Sequence, residues 1–499
     1  MANRLESITI QAPGFYGLNT EDSPTALSEQ FALDATNCVI DQFGRIGARK
    51  GWQYLTTVNP HTIKHLSEYV TKDGLSETIS ASNTAILKGE GTLVDITPAG
   101  YVMGDGNFQA ATLNNHHYLF RKGSKPVVYD GLTAVTVDTH ADYNGVVPEG
   151  DVAISAFGRL WVCDTVLNST VIHWSDLLTG MQWATGSSGS IDISKVWADG
   201  SDTITALVAH NGFLIIFGTR QIIIYQGCTD PATMSLADTI IGIGCIARDT
   251  VQSTGSDLLF LSSSGVRSLA RTIQEKSIPL TDISINIRST VEAFVTPSTG
   301  TIKSVYSPKE AFYLIHLESS GVTFCFDTRV PLENGAYRAT TWAGIAPTAL
   351  LQTRDNRLLM GNTSGITIYD GYIDNDAAYS MSYFTNYLDF GAGSNLKLLK
   401  SLKMTVIGGS NTDITLNWGY DYSYAYKKRK FTLITQVIAE YNIAEYSAGE
   451  FNAGVLVNRP SVNASGGGAV IQIGVEALVN GEPLSIQRIT AQATVGRTI

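Results

Sequence analysis

The sequence has few charged residues and lacks the long apolar runs of a membrane protein. Only 16% of its 499 residues are Asp, Glu, Lys or Arg, and no apolar stretch approaches the roughly 18 residues that a membrane-spanning helix needs. The start, MANRLESITIQAPG, contains no apolar core segment, so we expect no signal peptide. These features predict a protein without a membrane-spanning segment that is made in a cytosol-like compartment and stays there until something else moves it.

The cysteines are few and scattered, and none belongs to a C-x-x-C pair. An odd, widely spaced set argues against a disulfide framework and against a zinc site. We therefore predict that all of them are buried as small apolar side chains. They are Cys38, Cys163, Cys228, Cys245 and Cys325.

The common catalytic motifs are also missing. The sequence contains no G-x-S-x-G elbow, P-loop, G-x-G-x-x-G or H-E-x-x-H. His116 and His117 are adjacent, so in a strand they point to opposite faces and cannot share one metal ion. Asp130, Asp327 and Asp370 each follow a hairpin strand, which favours a role in turns. We expect a protein that is not an enzyme and that holds no cofactor or metal.

One pattern does recur along the chain: an apolar strand, a Gly-containing turn and a second apolar strand. In NGFLIIFGTRQIIIYQG (211–227), the runs FLIIF and IIIY show no polar alternation, which indicates strands buried on both faces. Similar hairpins occur at 115–131, 158–176, 256–270, 309–327 and 355–371, with a weaker copy at 82–97. Short strands that recur every roughly 35 to 55 residues are typical of propeller blades, which cover each other's faces around an axis. We predict an all-β fold with a β-propeller of six or seven irregular blades.

The character of the sequence changes near residue 380, where polar and apolar residues alternate more plainly. We expect an N-terminal assembly segment at 1–60, the propeller at 61–379 and a β-sandwich-like domain at 380–499. The best helix candidate is ALSEQFALDATNCVI (26–40), with Ser28 as its N-cap. TITALVAH (203–210) alternates only in part and is interpreted as an outer strand.

Residues 12–52 contain four elements in a fixed order: Gly17-Leu18-Asn19, Ser23-Pro24, Ala35-Thr36-Asn37, and a basic run from Gly44-Arg45 through Arg49-Lys50-Gly51. In this order they resemble the opening of tail proteins from short-tailed bacteriophages, namely the tail nozzle (tail tubular B-type) proteins and the related tail stabilisation proteins. The middle of the chain is similar to the same family, with ITALVAHNGFLIIFGTRQIIIYQG followed by IGIGCIARDTV and LLFLSSSGV. The turn in HWSDLLTGMQW also resembles one that recurs in these proteins.

The resemblance implies a structural protein of the virion tail, made in the cytoplasm of the bacterial host. Six copies would form a ring, or nozzle, below the portal and adaptor proteins, which closes and then conducts the genome-exit channel. Its partners would be further copies of itself and the portal and adaptor proteins, with tail fibres as a further candidate. DNA would pass through the channel without specific binding.

Two basic groups are candidate assembly contacts. Arg45, Arg49 and Lys50 lie in a segment whose apolar content is low, so we expect residues 1–52 to pack as an arm on a neighbouring subunit or on the adaptor. We also expect the fold to survive loss of residues 1–20. The second group follows YDYSYAY, and we expect it at a solvated hairpin tip or a protein-docking surface, although aromatic and basic residues together are also typical of single-strand nucleic acid binding. It consists of Lys427, Lys428, Arg429 and Lys430.

The net charge is −11 and it is unevenly distributed. Residues 380–499 hold ten basic and eight acidic side chains, a net charge of +2, which leaves −13 for residues 1–379. An acidic lumen would let DNA slide, because contacts to phosphates would otherwise add affinity. The alternative function is a carbohydrate-binding or polysaccharide-degrading β-propeller, which predicts an aromatic-lined pocket with convergent carboxylates.

Overall fold

The apolar hairpins of the sequence form the middle strands of antiparallel sheets in a computed structural model, which describes residues 4–57, 60–275, 282–295, 301–318, 320–434 and 457–498. In the stretch at 211–227, Leu214, Ile216 and Ile223 are completely buried. Ile216 and Ile223 lie opposite each other on neighbouring strands. A strand that is covered on both faces has no need of polar alternation, which explains the runs FLIIF and IIIY.

The described strands fall into three successive groups along the chain. The N-terminal strands are β1 (Arg4–Gln11), β2 (Gly17–Leu18), β3 (Phe31–Thr36), β4 (Cys38–Ile40), β5 (Ile46–Ala48) and β6 (Trp52–Tyr54). The central strands are β7 (His65–Val70), β8 (Ser76–Ala81), β9 (Ile86–Lys88), β10 (Val94–Asp95), β11 (Gln109–Leu113), β12 (His116–Arg121), β13 (Ser124–Tyr129), β14 (Ala134–Thr136), β15 (Gly150–Ala156), β16 (Arg159–Thr165), β17 (Val171–Trp174), β18 (Gly189–Asp192), β19 (Ile204–His210), β20 (Phe213–Gly218), β21 (Gln221–Gln226), β22 (Ser235–Ile241), β23 (Gln252–Ser253), β24 (Leu258–Ser262), β25 (Gly265–Ser268), β26 (Ile302–Ser307), β27 (Phe312–Leu317), β28 (Val322–Asp327), β29 (Arg338–Trp342), β30 (Ala349–Gln352), β31 (Leu358–Asn362) and β32 (Gly365–Tyr369).

The C-terminal strands are β33 (Tyr379–Thr385), β34 (Asn395–Gly408), β35 (Asp413–Tyr420), β36 (Lys427–Thr432), β37 (Val457–Asn458), β38 (Ser461–Asn463), β39 (Gly467–Gly468), β40 (Ile471–Val479) and β41 (Leu484–Thr498). Helical structure among the described residues is limited to short elements. They are the α-helices α1 (Leu269–Glu275) and α2 (Arg288–Val295) and 3-10 turns at Val137–Thr139, Pro231–Thr233, Arg248–Thr250 and Ile285–Ile287.

The central strands form a closed ring of blades. Six blades have four strands each: β7 to β10, β11 to β14, β15 to β18, β19 to β22, β26 to β29, and β30 to β32 with β6. A three-stranded sheet, β23 to β25, lies between the fourth and fifth of them. The first strands of neighbouring sheets contact each other, so they lie nearest the axis. The predicted β-propeller is confirmed, but β19 (within TITALVAH) is an innermost strand and not an outer one.

The last blade takes its outer strand from the other end of the chain. β6 pairs with β32, with Trp52 opposite Tyr369, and the ring is thereby closed by residues that precede the first blade. Closure of this kind ties both ends of the propeller together by main-chain hydrogen bonds. The part of the chain just before β6 is consequently fixed against the last blade.

The remaining strands form a β-sandwich that is continuous with the propeller. One sheet has the order β37-β34-β41-β5-β4, with β1 paired to β41 and β38 and β39 paired to β34. The other has the order β26-β27-β28-β29-β2-β3-β33-β40-β35-β36, so a blade runs directly into it. A single buried cluster includes Ile489 of the first sheet, Ile473 of the second and Phe326 of the shared blade. The predicted sandwich-like part is therefore present, and strands from the N-terminal segment complete it.

Two sequence-based expectations about residues 1–52 are wrong. The stretch at 26–40 forms β3 and β4 instead of a helix. β3 pairs with β33 and β29, whose residues lie far away in the sequence, and β4 pairs with the nearby β5. Residues 1–52 were expected to pack on another subunit, but they are part of this chain's own core. Phe15, Ala35 and Ile46 are fully buried in the shared cluster. The pairing of β1 with β41 over eight residues also argues against the expectation that the fold survives loss of residues 1–20.

Two smaller expectations can be compared with the structure directly. The weak hairpin at 82–97 contains the third and outermost strands of its blade, β9 and β10, so the central turn of that blade lies between β8 and β9. The short core strand Ile86–Lys88 explains why the signal is weak. All five cysteines are free and buried, as predicted.

Candidate functional site

The basic residues of the N-terminal segment lie where the chain crosses between the sandwich and the propeller. Arg49 stands between β5 and β6 and is completely buried. Its guanidinium forms two hydrogen bonds with the Asp374 carboxylate, Nη1 to Oδ1 at 2.8 Å and Nη2 to Oδ2 at 2.6 Å. Asp374 lies in the segment that leads from β32 back to β33. One ion pair thus ties together two segments that link the sandwich to the propeller.

Asn37 completes this joint between the two parts. Its side-chain oxygen accepts hydrogen bonds from Arg49 Nε and from the Ala343 amide, both at 2.9 Å. Its side-chain nitrogen donates to the Ser380 carbonyl at 2.7 Å. The backbone of Asn37 has φ of 56°, a left-handed conformation in which asparagine is enriched. We refer to Asn37, Arg49 and Asp374 as the joint.

Two glycines of the N-terminal segment allow close backbone approach. Gly17 has φ of 76°, and a side chain there would collide with the Ala339 carbonyl. At Gly51 a side chain would collide with the carbonyl of Ile373, the residue before Asp374. Only glycine fits such contacts without moving the backbone.

Of the three N-terminal basic residues predicted as assembly contacts, Arg49 and Arg45 are buried within the chain and only Lys50 is partly exposed. Arg49 is fully buried in the joint, so it offers no surface to a partner, and its prediction as an assembly contact is wrong. Arg45 is 8% exposed, and its guanidinium forms an ion pair of 2.6 Å with Asp41. Its contacts are therefore also internal to the chain. Lys50 remains partly exposed beside Glu310, at 2.7 Å.

The second basic group occupies an exposed strand. Lys427, Lys428, Arg429 and Lys430 form most of β36, at one edge of the ten-stranded sheet as far as the chain is described. The group therefore lies in a strand and not at a hairpin tip. Two of its ammonium groups have acidic neighbours: Lys428 lies 3.4 Å from Glu476 and Lys430 lies 2.8 Å from Asp413. Its role as a docking surface stays a prediction.

The axis of the propeller holds a partly buried polar cluster that sequence reasoning missed. Arg248 Nη1 donates to the Asp151 carbonyl at 2.6 Å, and Nη2 donates to Asn107 Oδ1 at 3.2 Å. Lys303 Nζ donates to the same Asn107 oxygen at 2.7 Å and to Asp249 Oδ2 at 2.5 Å. Asp151 and Lys303 lie on the first strands of two blades, and the other three residues lie just before the first strands of two further sheets. We call Asn107, Asp151, Arg248, Asp249 and Lys303 the axial cluster.

The charges of the axial cluster compensate one another. Burial alone would disfavour ionisation of Asp249, but Arg248 and Lys303 outweigh it and hold the pKa of Asp249 well below its usual value. Burial lowers the pKa of Lys303, although Asp249 opposes this effect. A partly buried, hydrogen-bonded network of this kind is costly to disrupt, since the loss of one member leaves another without its partner. In the sequence, the only sign of the axial cluster is the Arg248-Asp249 pair in IARDT, just before β23.

Two clefts lie over the axial cluster. Their volumes are about 520 Å³ and about 440 Å³, and Asp151 and Arg248 line both of them. The second cleft also contains Asp164 and Lys122, which form an ion pair of 2.7 Å. Burial raises the pKa of Asp151, with Arg248 opposing the effect and Asp164 adding to it. The side chains of Asp151 and Asp164 thus lie close together in the second cleft.

The residues considered for catalysis from sequence have structural partners. His117 is buried and lies 2.8 Å from Thr112 Oγ1 and 2.9 Å from Ser67 Oγ, while His116 is only partly buried on the opposite face. Asp130 accepts hydrogen bonds from the Leu132 and Thr133 amides, as a turn residue does. Within the described ranges no three His, Cys, Asp or Glu side chains are grouped as ligands for a metal ion.

The geometry defines the class of protein: a β-propeller closed by β6, a strand that precedes the first blade, and fused to a β-sandwich. Across the described part of the chain, no helix is long and apolar enough to cross a membrane. No protein-family model matches the sequence, and no curated protein sequence is significantly similar to it.

Solved structures with some likeness to the chain are propeller proteins of different kinds. BamB from Moraxella catarrhalis is 12% identical, over 67% of this chain and 96% of that one, with a TM-score of 0.38. Streptogramin B lyase is 10% identical, over 64% of this chain and 97% of that one, with a TM-score of 0.38. PorZ from Porphyromonas gingivalis, a component of the type-IX secretion system, is 10% identical, over 68% and 43% of the two chains, with a TM-score of 0.38. The propeller class rests on the strand order of this chain and not on these likenesses.

Proposed function

We propose that the protein is a structural component of a short bacteriophage tail, in which it forms a ring below the portal and adaptor proteins. The ring closes the genome-exit channel and later conducts the DNA. The observation that carries the proposal is the position of the residues that resemble the nozzle family. Asn37, Arg49 and Gly51 lie in or beside the joint, so this part of the resemblance concerns the elements that fix the sandwich to the propeller.

Charge is consistent with passage of DNA through such a ring. Residues 1–379 carry −13, whereas residues 380–499 carry +2. An acidic wall repels phosphate groups and keeps affinity for DNA low. We therefore propose that DNA passes without specific binding and that the exposed basic strand β36 faces a protein partner, either a neighbouring copy or the adaptor.

Oligomeric state tests the proposal in its simplest form. The purified chain has a mass of 53.7 kDa, and mass photometry separates a monomer from a sixfold assembly. Negative-stain images of the same sample should show six-fold rings with a central hole, in the free protein or after addition of the portal and adaptor proteins. A protein that remains monomeric under both conditions contradicts the proposal.

A second function is favoured by one observation, the two carboxyl groups at the clefts. A carbohydrate-binding or polysaccharide-degrading propeller needs convergent carboxylates, one of them protonated near neutral pH. The raised pKa of Asp151, together with the position of the Asp164 side chain beside it, fits that requirement. Release of reducing ends from a polysaccharide, abolished by Asp151→Asn in a protein that still folds, would favour this function over the tail ring.

A further inference from the structure

Four leucine side chains are exposed on loops at one face of the first three blades. The loops are the β7–β8, β13–β14 and β17–β18 connections. In an antiparallel four-stranded blade, the connection between the first two strands and that between the last two lie at the same end. The leucines are Leu75, which is 70% exposed, Leu132 (83%), Leu177 (51%) and Leu178 (57%). We call them the leucine face.

Contacts between the blades join these loops into one surface. The Lys72 amide of the β7–β8 loop donates to Asn115 Oδ1 of the second blade at 2.7 Å. The β17–β18 loop of the third blade packs on the second at Gly180, where any side chain would collide with the Tyr118 ring. Single exposed leucines are ordinary on a protein surface, whereas a connected group of them marks an interaction site.

The loops at this face are also acidic. The connections β7–β8, β11–β12, β13–β14, β15–β16 and β17–β18 contain three acidic residues, Asp73, Asp130 and Asp176, and one basic residue, Lys72. Asp73 and Asp130 are exposed beside the leucines. A partner that matches this face therefore combines apolar side chains with positive charge.

The sandwich carries such a combination at β36 and in the loop before it. Tyr422 is 51% exposed and Tyr424 is 86% exposed. Lys427 and Arg429 point to the same side of β36, and neither has a carboxylate partner among the described residues. Tyrosine and arginine are enriched at protein interfaces. We call the two tyrosines and the four basic residues of β36 the basic patch.

The leucine face and the basic patch lie at opposite ends of the molecule. The blade β26 to β29 continues into the sandwich, and β36 lies six strands beyond β29. In the ring of seven sheets, the second and third blades are three places away from that blade in either direction, which is the greatest separation. The two surfaces therefore cannot meet within one chain, but they can meet between two copies. A repeated contact between two different surfaces builds a ring when its rotation closes.

We propose that the basic patch of one copy binds the leucine face of the next copy. The tyrosine rings pack on the leucines, and Lys427 and Arg429 lie opposite Asp73 and Asp130. This contact rests on the proposed function and deepens it, because it names the surfaces that join the copies of the ring. A single-stranded nucleic acid would match the basic patch alone, whereas a second copy matches both surfaces.

The test uses two variants of the full-length chain, each with one altered surface. Leu75→Lys/Leu132→Lys alters the leucine face, and Tyr424→Ala/Arg429→Ala alters the basic patch. All four side chains are exposed, so both variants should fold, which circular dichroism checks. Biolayer interferometry with the basic-patch variant tethered and the leucine-face variant in solution measures the one contact left intact. Each variant against itself should bind at least about tenfold more weakly than this mixed pair.

Two exposed positions outside both surfaces give matched controls. Leu236→Lys alters the outer strand β22 of the fourth blade, and Lys403→Ala alters β34 of the sandwich. Both controls should associate as the parent does, because neither residue belongs to the leucine face or to the basic patch.

Three results would overturn the inference. One is that the mixed pair binds no better than each variant binds itself. Another is that both variants still form six-fold rings with the portal and adaptor proteins, which would leave the proposed function in place without this contact. The third is that the mixed pair fails to bind while the parent, but not the basic-patch variant, binds a single-stranded oligonucleotide. A mixed pair that binds although the parent forms no ring would support the contact and contradict the proposed ring.

Discussion

Arg49 and Asp374 form a buried ion pair with two hydrogen bonds, although 325 residues separate them in the chain. The Arg49 side chain is fully buried, and that of Asp374 is 12% exposed. The ring of Tyr379 lies 4.1 Å from the guanidinium carbon, and its hydroxyl group donates to the Arg49 carbonyl. The pair fixes the path of the chain at the place where the propeller and the sandwich meet.

Arg49→Met should therefore destabilise the protein strongly. It leaves the Asp374 carboxylate buried without its partner, which typically costs about 3–5 kcal/mol. Lys50→Met is the matched control, since the partly exposed pair of Lys50 with Glu310 is expected to contribute less than about 1 kcal/mol. Urea unfolding of both variants measures the difference. Equal unfolding free energies for the two variants would contradict a structural role for the joint.

Removal of residues 1–20 should destabilise the sandwich and not only affect assembly. The truncation takes away β1 and β2 together with the buried side chains of Ile10, Phe15 and Leu18, each worth about 1.5–3 kcal/mol. It also exposes the edge of β41, which favours aggregation. Melting temperature and resistance to limited proteolysis report the effect, with Leu5→Ser, at an exposed position of β1, as the control. A truncated protein that melts like the parent would refute this prediction.

Ile223→Asp should unfold the fourth blade. Ile223 is completely buried between β20 and β22, and an unpaired carboxylate there costs several kcal/mol, on the order of the whole stability of a domain. Gln226→Asp, at an exposed position of the same strand, is the control. Circular dichroism melts would show a large loss for the first variant only. A normal melt for Ile223→Asp would mean that the hairpin is not buried.

Stability should fall as the pH drops from about 7 to about 5, and two buried histidines contribute to this fall. Burial, with a smaller effect from Lys303, lowers the pKa of His65 to about 3, and burial lowers the pKa of His117 to about 4. Below the ordinary pKa of 6.5 the unfolded chain takes up protons that the folded protein does not. Each histidine then costs up to about 1.4 kcal/mol per pH unit until its folded pKa is reached.

The two histidines share Ser67 as a hydrogen-bond partner, at 3.0 Å from His65 and 2.9 Å from His117. The double variant His65→Gln/His117→Gln should show a shallower dependence of unfolding free energy on pH between 7 and 5 than the parent. Chemical denaturation at several pH values measures both slopes. Identical slopes would show that these histidines are not buried in the neutral form.

The sequence was sufficient to predict the blades, because their signal is local. Leu214 and Ile223 lie in apolar runs whose lack of alternation already indicates burial on both faces. The helix prediction for 26–40 is wrong because Ala32 and Ala35 have helical spacing. The partners that make the stretch a strand are residues around 341 and 382–385. A register shift near Ala32 further disguises the strand pattern. Tertiary pairing overrides a weak local preference in such cases.

The sites were harder to predict than the fold. The axial cluster was missed because Arg248 meets partners 97 and 141 residues away, and a lone Arg-Asp pair carries little signal. Arg49 was assigned to a surface because charged residues are usually exposed, whereas here Asn37 and Asp374 allow its burial. The exposed strand β36 could be predicted as basic and solvated from Lys427 to Lys430 alone, but its place at a sheet edge could not.

Cryo-electron microscopy of the portal and adaptor complex after addition of this protein tests the central proposal most directly. The account predicts six copies in a ring below the adaptor, with the bore of the ring continuing the channel of the portal. It also predicts that β36 contacts a neighbouring copy or the adaptor. An adaptor complex that carries no additional density, or copies that lie outside the channel axis, would contradict the assignment of this protein to the tail nozzle.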